Sequence, residues 1–499
     1  MTESATFIVN DVDAPSLRDA VSRIASIGYC EKHICDRLGL SDITELMWRA
    51  LPIYRDERLA ARDALDLAID LFLLQGAITI DELNLLMDKA DQDIFIRSGL
   101  LFVDEKCLAR ASLFPVGRNL IFSDHTSPGF PHPGCVDVPH DQVMYVGTDS
   151  RWLAHATVRR PAGKTLDLCT GSGVHALLAA SHSQRVVAVD INPRAARCTR
   201  FNAQVSGAAN IEIAVGDLFE PVCGERFDLI TANPPFVPSP VDAIGFRDGG
   251  QSGEDVQRRI VAGLPEHLAP GGIAQIVTEL GERENEPLSD RLREWLNGAP
   301  MDILIHRLCV HTAASYAIGH AKGYDTYAVF FDSVSDWAGN LRAQGYTQIA
   351  SVLLAFQWSD PASGSPWTRI EELYPPRSEA GKEIEEVFLT ERMVRRPDFC
   401  RILEHSRIRR AGPIGLMEAC VLGSGLRADT QAQLLGRAFP ILKYLNPIEL
   451  EVLTLMEEPL EFSELLALTQ DRGIRSEDVY TSVGSLIRSG FILPTPVEL

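Results

Sequence analysis

Seven apolar, strand-like runs recur between residues 140 and 360, alternating with helical patterns: TLDLC (165–169), RVVAVDI (185–191), IEIAVGD (211–217), FDLITA (227–232), GIAQIVTEL (272–280), MDILIHR (301–307) and SVLLAFQW (351–358). This alternation specifies an α/β fold, a parallel sheet with helices on both faces. Between the first two runs, GVHALLAASH is apolar at helical spacing. Between the second and third, PRAARCTRFNAQVSG has Pro193 suited to a helix start and Gly207 to its stop.

Open sheets of this kind bind ligands beyond the carboxyl ends of their strands. The first run enters DLCTGSG (167–173), whose glycines let the chain turn sharply and let a ligand approach the backbone at the start of the next helix. The second ends in Asp190, an acid placed for a ribose hydroxyl pair. The third ends in Gly216-Asp217, suited to an adenine amino group, and the fourth in Asn233-Pro234-Pro235-Phe236. A nicotinamide dinucleotide would require G-x-G-x-x-G, but Gly173 is followed by Val174-His175-Ala176. The two prolines, which donate no amide hydrogen and stiffen the chain, have no part in hydride transfer.

Together these residues resemble the class I S-adenosylmethionine-dependent methyltransferases, in the branch that carries N-P-P-[YF] and includes the release-factor glutamine methyltransferases. The resemblance spans 140–360 and implies a Rossmann-like seven-stranded core and S-adenosyl-L-methionine as cofactor. It also implies cofactor contacts from Tyr145, Asp167, Thr170, Gly171, Gly173, Asp190, Ile191, Asp217, Leu218 and Asn233. The segment VMYVGTDSRWLA (143–154) is similar to one that closes over the cofactor in such enzymes, bringing Tyr145, Gly147 and Asp149 near its methionine end. The plainer alternative is a strand-turn-helix capped by Asp149 or Ser150. The chain departs from the usual G-x-G-x-G by placing Cys169 at the first glycine.

An amide or amino nitrogen whose lone pair is delocalised is a poor nucleophile. The resemblance implies that the Asn233 side-chain oxygen and the Pro234 carbonyl accept hydrogen bonds from the target NH₂, aiming its lone pair at the sulfonium methyl. Phe236 would stack on the planar acceptor. Rigid acceptors need little reorganisation, and proton loss to solvent can follow transfer without a named base. Pro235, Phe236 and Arg247 are the substrate-side candidates. Arg247 lies in FRDGGQSGEDVQRRIV (246–261), a Gly-rich loop like the one that follows NPPY in the release-factor enzymes. NPPF also occurs in ribosomal-RNA guanine and adenine N-methyltransferases, so the motif selects nitrogen chemistry without choosing the molecule.

A chain of 499 residues exceeds one ordinary core. The expected domains are a helical, winged-helix-like segment at 1–125, the methyltransferase core at 140–360 and a second winged-helix-like segment at 372–499, with Ser463 and Ser476 as helix caps. DPASGSPW (360–367) reads as a linker. The arginines at 392, 395, 396, 401, 407, 409 and 410 read as charged surface before an RNA or acidic-protein contact. The net charge of −21 gives nucleic acid no general attraction. A protein or small-molecule methyl acceptor therefore ranks above RNA or DNA (guanine N2 or adenine N6), and a non-catalytic cofactor-binding scaffold is the rival from another class. The N-terminus lacks a signal-peptide pattern and no apolar run reaches membrane-spanning length, so the expected location is the cytoplasm, without a membrane partner. The ten cysteines are scattered without metal spacing, and no metal is expected. His175 reads as a packed or capping histidine, and His306, Cys309 and His311 as structural. Homodimerisation stays open.

Overall fold

The computed structural model describes residues 13–47, 50–125, 140–241, 244–321, 326–376, 378–419, 429–439 and 441–496. Its largest sheet has eight strands: β1 (Ala162–Leu168), β2 (Ser183–Asp190), β3 (Ile211–Val215), β4 (Phe227–Ala232), β5 (Leu268–Glu282), β6 (Met301–Thr312), β7 (Gln348–Trp358) and β8 (Thr368–Glu372). They lie in the order β8-β6-β7-β5-β4-β1-β2-β3. All seven expected strands are present; the eighth is an addition. β1 pairs in parallel with both β2 and β4, β2 with β3, and β5 with β4. The chain therefore reverses its winding between β1 and β4, the switch point where ligands bind in such sheets.

Two compact units divide the chain: 1–154 with 159–299 and 309–354, and 155–158 with 300–308 and 355–499. In the first unit, α1 (Thr148–Ala156) precedes the sheet, α2 (Val174–Ala180) follows β1, and α3 (Pro193–Ser206) follows β2. Asn192 caps α3, Pro193 opens it, and Gly207 closes it at φ 77°, where a side chain would be strained. α4 (Asp255–His267) and α5 (Leu288–Trp295) flank β5. α6 (Ala313–His320) and α7 (Tyr327–Ala343) stand between β6 and β7.

The segment read from sequence as a separate N-terminal domain shares one continuous apolar core with this unit, running from Leu17 through Phe72, Phe95 and Phe122 to Phe201 and Ile211. Asn202 of α3 ties them: its Oδ1 accepts from Phe122 N at 3.0 Å, and its Nδ2 donates to Phe122 O at 2.7 Å and Ser172 O at 2.8 Å. Within 64–109 the order is helix, short strand Ala77–Ile78, helices Ile80–Leu86 and Lys89–Arg97, then the antiparallel pair Leu101–Val103 and Cys107–Ala109. Thr79 and Glu82 form the capping box that the spacing promises.

In the second unit, β8 pairs in parallel with Ile303–Arg307 of β6. Trp367, at its start, is 2% exposed and packs on Phe388 with ring centroids 5.1 Å apart. The stretch expected to be a linker is therefore built into the fold. Helices Pro447–Leu455, Phe462–Gln470 and Ser476–Arg488 surround a core that includes Val452, Phe462, Val483 and Phe491. Glu461 and Glu464 make the capping box of the middle helix, and Arg475 occupies the cap of the last. Ser463 and Ser476, expected as caps, instead fall just inside their helices, past the observed caps Glu461 and Arg475. The arginine run is locally committed: Arg392 faces Asp302, Arg395 faces Glu391, and Arg396 and Arg401 both face Asp398.

Candidate active site

The glycine turn and the proline plug emerge side by side. Leu168 of β1 is paired with Ala232 of β4, so Cys169 and Asn233 are the next residues out of adjacent strands. Cys169 is held at φ 55°, the left-handed conformation that glycine takes without strain, which explains how the departure from G-x-G-x-G keeps the turn. Burial pushes its thiol well above the ordinary range, so it is no reactive thiolate.

Bonds to buried side chains hold the turn. Asp167 is fully buried; its Oδ2 accepts from Thr170 Oγ1 at 2.6 Å and Ala176 N at 3.2 Å, and its Oδ1 from Thr231 Oγ1 at 2.8 Å. Burial raises this carboxyl to about 6 despite those bonds. Thr199 Oγ1 donates to Gly171 O at 3.0 Å, and a Cβ at Gly173 (φ 85°) would stand 2.8 Å from Thr199. Asp190 Oδ2 accepts from Gly171 N at 2.8 Å and its Oδ1 from Asn192 N at 2.9 Å. Asp167 and Thr170 thus brace the turn from beneath, while Gly171 and Asp190 form its rim.

The rim fits the cofactor that the motif implies. A Cβ at Gly171 would meet nothing within 4 Å, so the backbone faces open space. Ile191 is 68% exposed at the strand end, an apolar surface left for a planar ring. Leu218 is buried at φ 51°, and Asp217 Oδ2 accepts from Arg259 Nη2 at 2.7 Å. Among the described residues, no group of three or more His, Cys, Asp or Glu could hold a metal ion.

The plug is fixed from both sides. Asn233 Nδ2 donates to Asp149 Oδ2 at 2.9 Å and to Ser150 Oγ at 3.0 Å. An ionised carboxylate can only accept, so this contact sets which end of the amide is nitrogen and leaves Oδ1 an acceptor without a donor among the described residues. On the other side, Phe236 N and Val237 N both donate to Arg247 O, at 3.1 and 2.9 Å, and Gly249 N donates to Val237 O at 3.0 Å. The Gly-rich loop is therefore a clamp on the plug's backbone. Arg247 itself is matched locally: its Nε donates to Asp248 Oδ1 at 2.7 Å and its guanidinium lies 5.8 Å from the Trp337 ring centroid. That placement gives a local partner to a residue that the sequence set on the substrate side.

Beside the plug opens a cleft of about 420 Å³, whose lining includes Tyr145, Asp149, Phe236, Glu279, His320 and Ser351, together with Gly147, Cys309 and His311. Burial lifts the Tyr145 hydroxyl to about 12 and lowers His320 to about 4, so both are neutral near pH 7. Sequence reading placed Tyr145, Gly147, Asp149 and Phe236 near this site but passed over Glu279, the last residue but one of the apolar run GIAQIVTEL. It also took Cys309 and His311 for structural residues, and both line the cleft. His306 of that trio is not in the lining and pairs with Glu371 at 2.9 Å in the second unit. His175, as expected, is packed; burial holds it down at about 3.

Residues 145–297 match the methyltransferase small domain family. Over 135 residues (24% of this chain) the sequence is 40% identical to the ribosomal protein uL3 glutamine methyltransferase of Bradyrhizobium diazoefficiens, covering 40% of that protein. It is 35% identical to the release factor glutamine methyltransferase of Geobacter sulfurreducens, over 28% of this chain and 55% of that one. A Methanocaldococcus jannaschii protein named "putative protein N5-glutamine methyltransferase" is 33% identical over 29% of this chain and 77% of its own length. The first two matches thus span about half or less of those relatives, whereas the third takes in most of one. A glycine turn and an asparagine-proline plug at adjacent strand ends, in a chain that embraces most of such a relative, put this protein among the class I S-adenosylmethionine-dependent methyltransferases of the release-factor glutamine methyltransferase-like branch.

Proposed function

We propose that the protein is an N-methyltransferase that uses S-adenosyl-L-methionine to methylate an amide or amino nitrogen, with a protein side chain as the acceptor. The observation that carries this reading is the orientation of Asn233: Asp149 and Ser150 hold its NH₂, so its oxygen is presented as an acceptor next to the glycine turn. When bound, the cofactor supplies an electrophilic methyl on a sulfonium. The backbone at Gly171 and Gly173, the Asp190 carboxylate, the Ile191 side chain and Asp217 would hold it, with Asp167, Thr170 and Leu218 keeping the turn in shape and Tyr145 standing on the cleft side. Asn233 Oδ1 and the Pro234 carbonyl would take the two N–H bonds of the acceptor, directing its lone pair, while Pro235 and Phe236 bound the planar group. Because both acceptors are fixed in advance, their electrostatic work requires little reorganisation at the moment of transfer.

A protein acceptor is favoured by the curated relatives, named for release factors and ribosomal protein uL3. A nucleic-acid acceptor draws less support, since no Lys or Arg is among the described residues that line the cleft, and Arg392, Arg395, Arg396 and Arg401 of the arginine run face nearby carboxylates. The helix–strand–helix–helix–hairpin order within 64–109, and the corresponding helices of 447–488, suit winged-helix modules that grip the acceptor or a second copy. Purified protein incubated with radiolabelled S-adenosylmethionine and a purified release factor or protein uL3 tests the reading. Asn233→Ala should abolish transfer while the cofactor still binds, as measured calorimetrically. Undiminished transfer by Asn233→Ala would refute it; wild-type binding without turnover would favour the scaffold.

A further inference from the structure

Methylating a nitrogen that carries hydrogens releases a proton, and the motif names no group to receive it. One side chain in the cleft is built to do so. Glu279 stands three residues beyond Ile276, the last residue of β5 paired with β4, while Asn233 stands one residue beyond the matching Ala232. Both strands therefore deliver their residues to the same edge of the sheet. Glu279 lines the cleft together with Phe236 of the plug and with Asp149, the partner of Asn233. Tyr316 Oη of α6 donates to its Oε2 at 2.5 Å, and Ser351 Oγ of β7 to its Oε1 at 3.2 Å. Each carboxylate oxygen has two lone pairs, so each keeps capacity for a further hydrogen bond. Two neutral donors from separate elements fix the group without neutralising it.

We propose that Glu279 is the proton acceptor of methyl transfer. This rests on the N-methyltransferase reading above. The acceptor nitrogen forms its bond to the methyl carbon as the sulfonium S–C bond breaks and sulfur keeps that electron pair; the methylated nitrogen, now positively charged, then gives up one of the two protons that Asn233 and Pro234 had held, and that proton passes to the Glu279 carboxylate. The protonated carboxyl then returns its proton to solvent through the cleft. The surroundings suit this cycle. The titratable groups that share the cleft with Glu279 or bond to it are Tyr316 and His320 of α6, Tyr145, Asp149 of α1, and Cys309 and His311 of β6; no Lys or Arg is among the described residues of the lining, and the charges of Arg247 and Asp248 in the Gly-rich loop reach Tyr316 and His320. Burial, reinforced by the negative charge of Asp149 and opposed by the bonds from Tyr316 and Ser351, lifts the carboxyl to about 7. A base is most effective when its affinity for the proton matches the working pH.

The test uses the whole protein, S-adenosylmethionine labelled in the methyl group, and a purified release factor or protein uL3 as acceptor. The wild-type single-turnover rate should rise with pH and level off above about 7. Glu279→Gln, which keeps the shape and can still bond to Tyr316 and Ser351, should lower the plateau about 100-fold or more and flatten the rise. Its cofactor affinity and circular dichroism should match the wild type. Tyr316→Phe removes a bond that favours the ionised carboxylate, so the rise should move to higher pH. A Glu279→Gln variant with the wild-type rate and pH profile overturns the assignment. The second readout needs no acceptor: the infrared difference between wild type and Glu279→Gln should show a carboxyl band titrating near 7. If the wild type transfers to neither acceptor, the acceptor reading falls on its own. The band then decides for Glu279, and titration in the ordinary carboxylate range overturns the assignment.

Discussion

Gly253→Ala isolates the part that the Gly-rich loop plays in holding the plug. Gly253 sits at φ +72°, and a Cβ there would run into the Phe236 carbonyl oxygen and stand 2.8 Å from Pro238 N. The left-handed conformation costs an alanine about 1–2 kcal/mol. The collision adds about 1–3 kcal/mol if the surrounding backbone has to shift. Gly298 supplies the control: its φ is +80°, and a Cβ there would meet nothing within 4 Å. Gly298→Ala should therefore show the conformational cost alone, and the difference between the two variants, about 1–3 kcal/mol, is the plug's share. Denaturant titration reads that difference. The functional consequence should exceed the loss of stability, because relief of the collision displaces the Phe236 carbonyl and the backbone next to Pro235. A misplacement of about 1 Å at a positioning element can cost about 100-fold in rate. Single-turnover methyl transfer under saturating cofactor should fall by that order in Gly253→Ala and stay near wild type in Gly298→Ala. Equal stabilities and equal rates in the two variants would refute the claim that the loop clamps the plug.

Two further outcomes follow from buried groups away from the cleft. Burial holds His175 in the folded chain at about 3, below its ordinary 6.5, and neither ring nitrogen has a hydrogen-bond partner. The unfolded chain therefore binds the extra proton first, and stability falls as pH drops from about 6.5 toward 3, by up to about 1.4 kcal/mol per pH unit. His175→Leu should flatten the pH dependence of the denaturation midpoint across that window, and an unchanged slope would count against it. Trp367→Ala should destabilise the second unit by about 3–5 kcal/mol, because it empties a site only 2% exposed against Phe388. A free linker would show no change in its unfolding transition.

Much of the core was legible because its signals are local. An apolar run of strand length, a proline at a helix start or a glycine at a helix stop acts through its own backbone, which is why α3 runs from Pro193 to Ser206 and closes at Gly207. The helix caps at 461 and 475 were missed by a residue or two because they are a glutamate and an arginine, while Ser463 and Ser476 just inside the helices are the commoner capping type. The eighth strand was missed for a different reason: TRIEE has no continuous apolar run, since it lies at the sheet's edge, and only pairing with Ile303–Arg307 makes it a strand.

Sequence alone determined the α/β order, the tight glycine turn and the stiff proline plug, since each is written in residues that act on their immediate neighbours, whereas strand pairing set the turn and the plug side by side. Tertiary structure alone decided which way the Asn233 amide faces, because its partner Asp149 lies 84 residues earlier. It also decided that Arg247 belongs to Asp248 and Trp337, and that Glu279, Tyr316 and Ser351 meet in one cleft. Contacts between distant segments depend on how strands are ordered and registered, and no single stretch of chain carries that information.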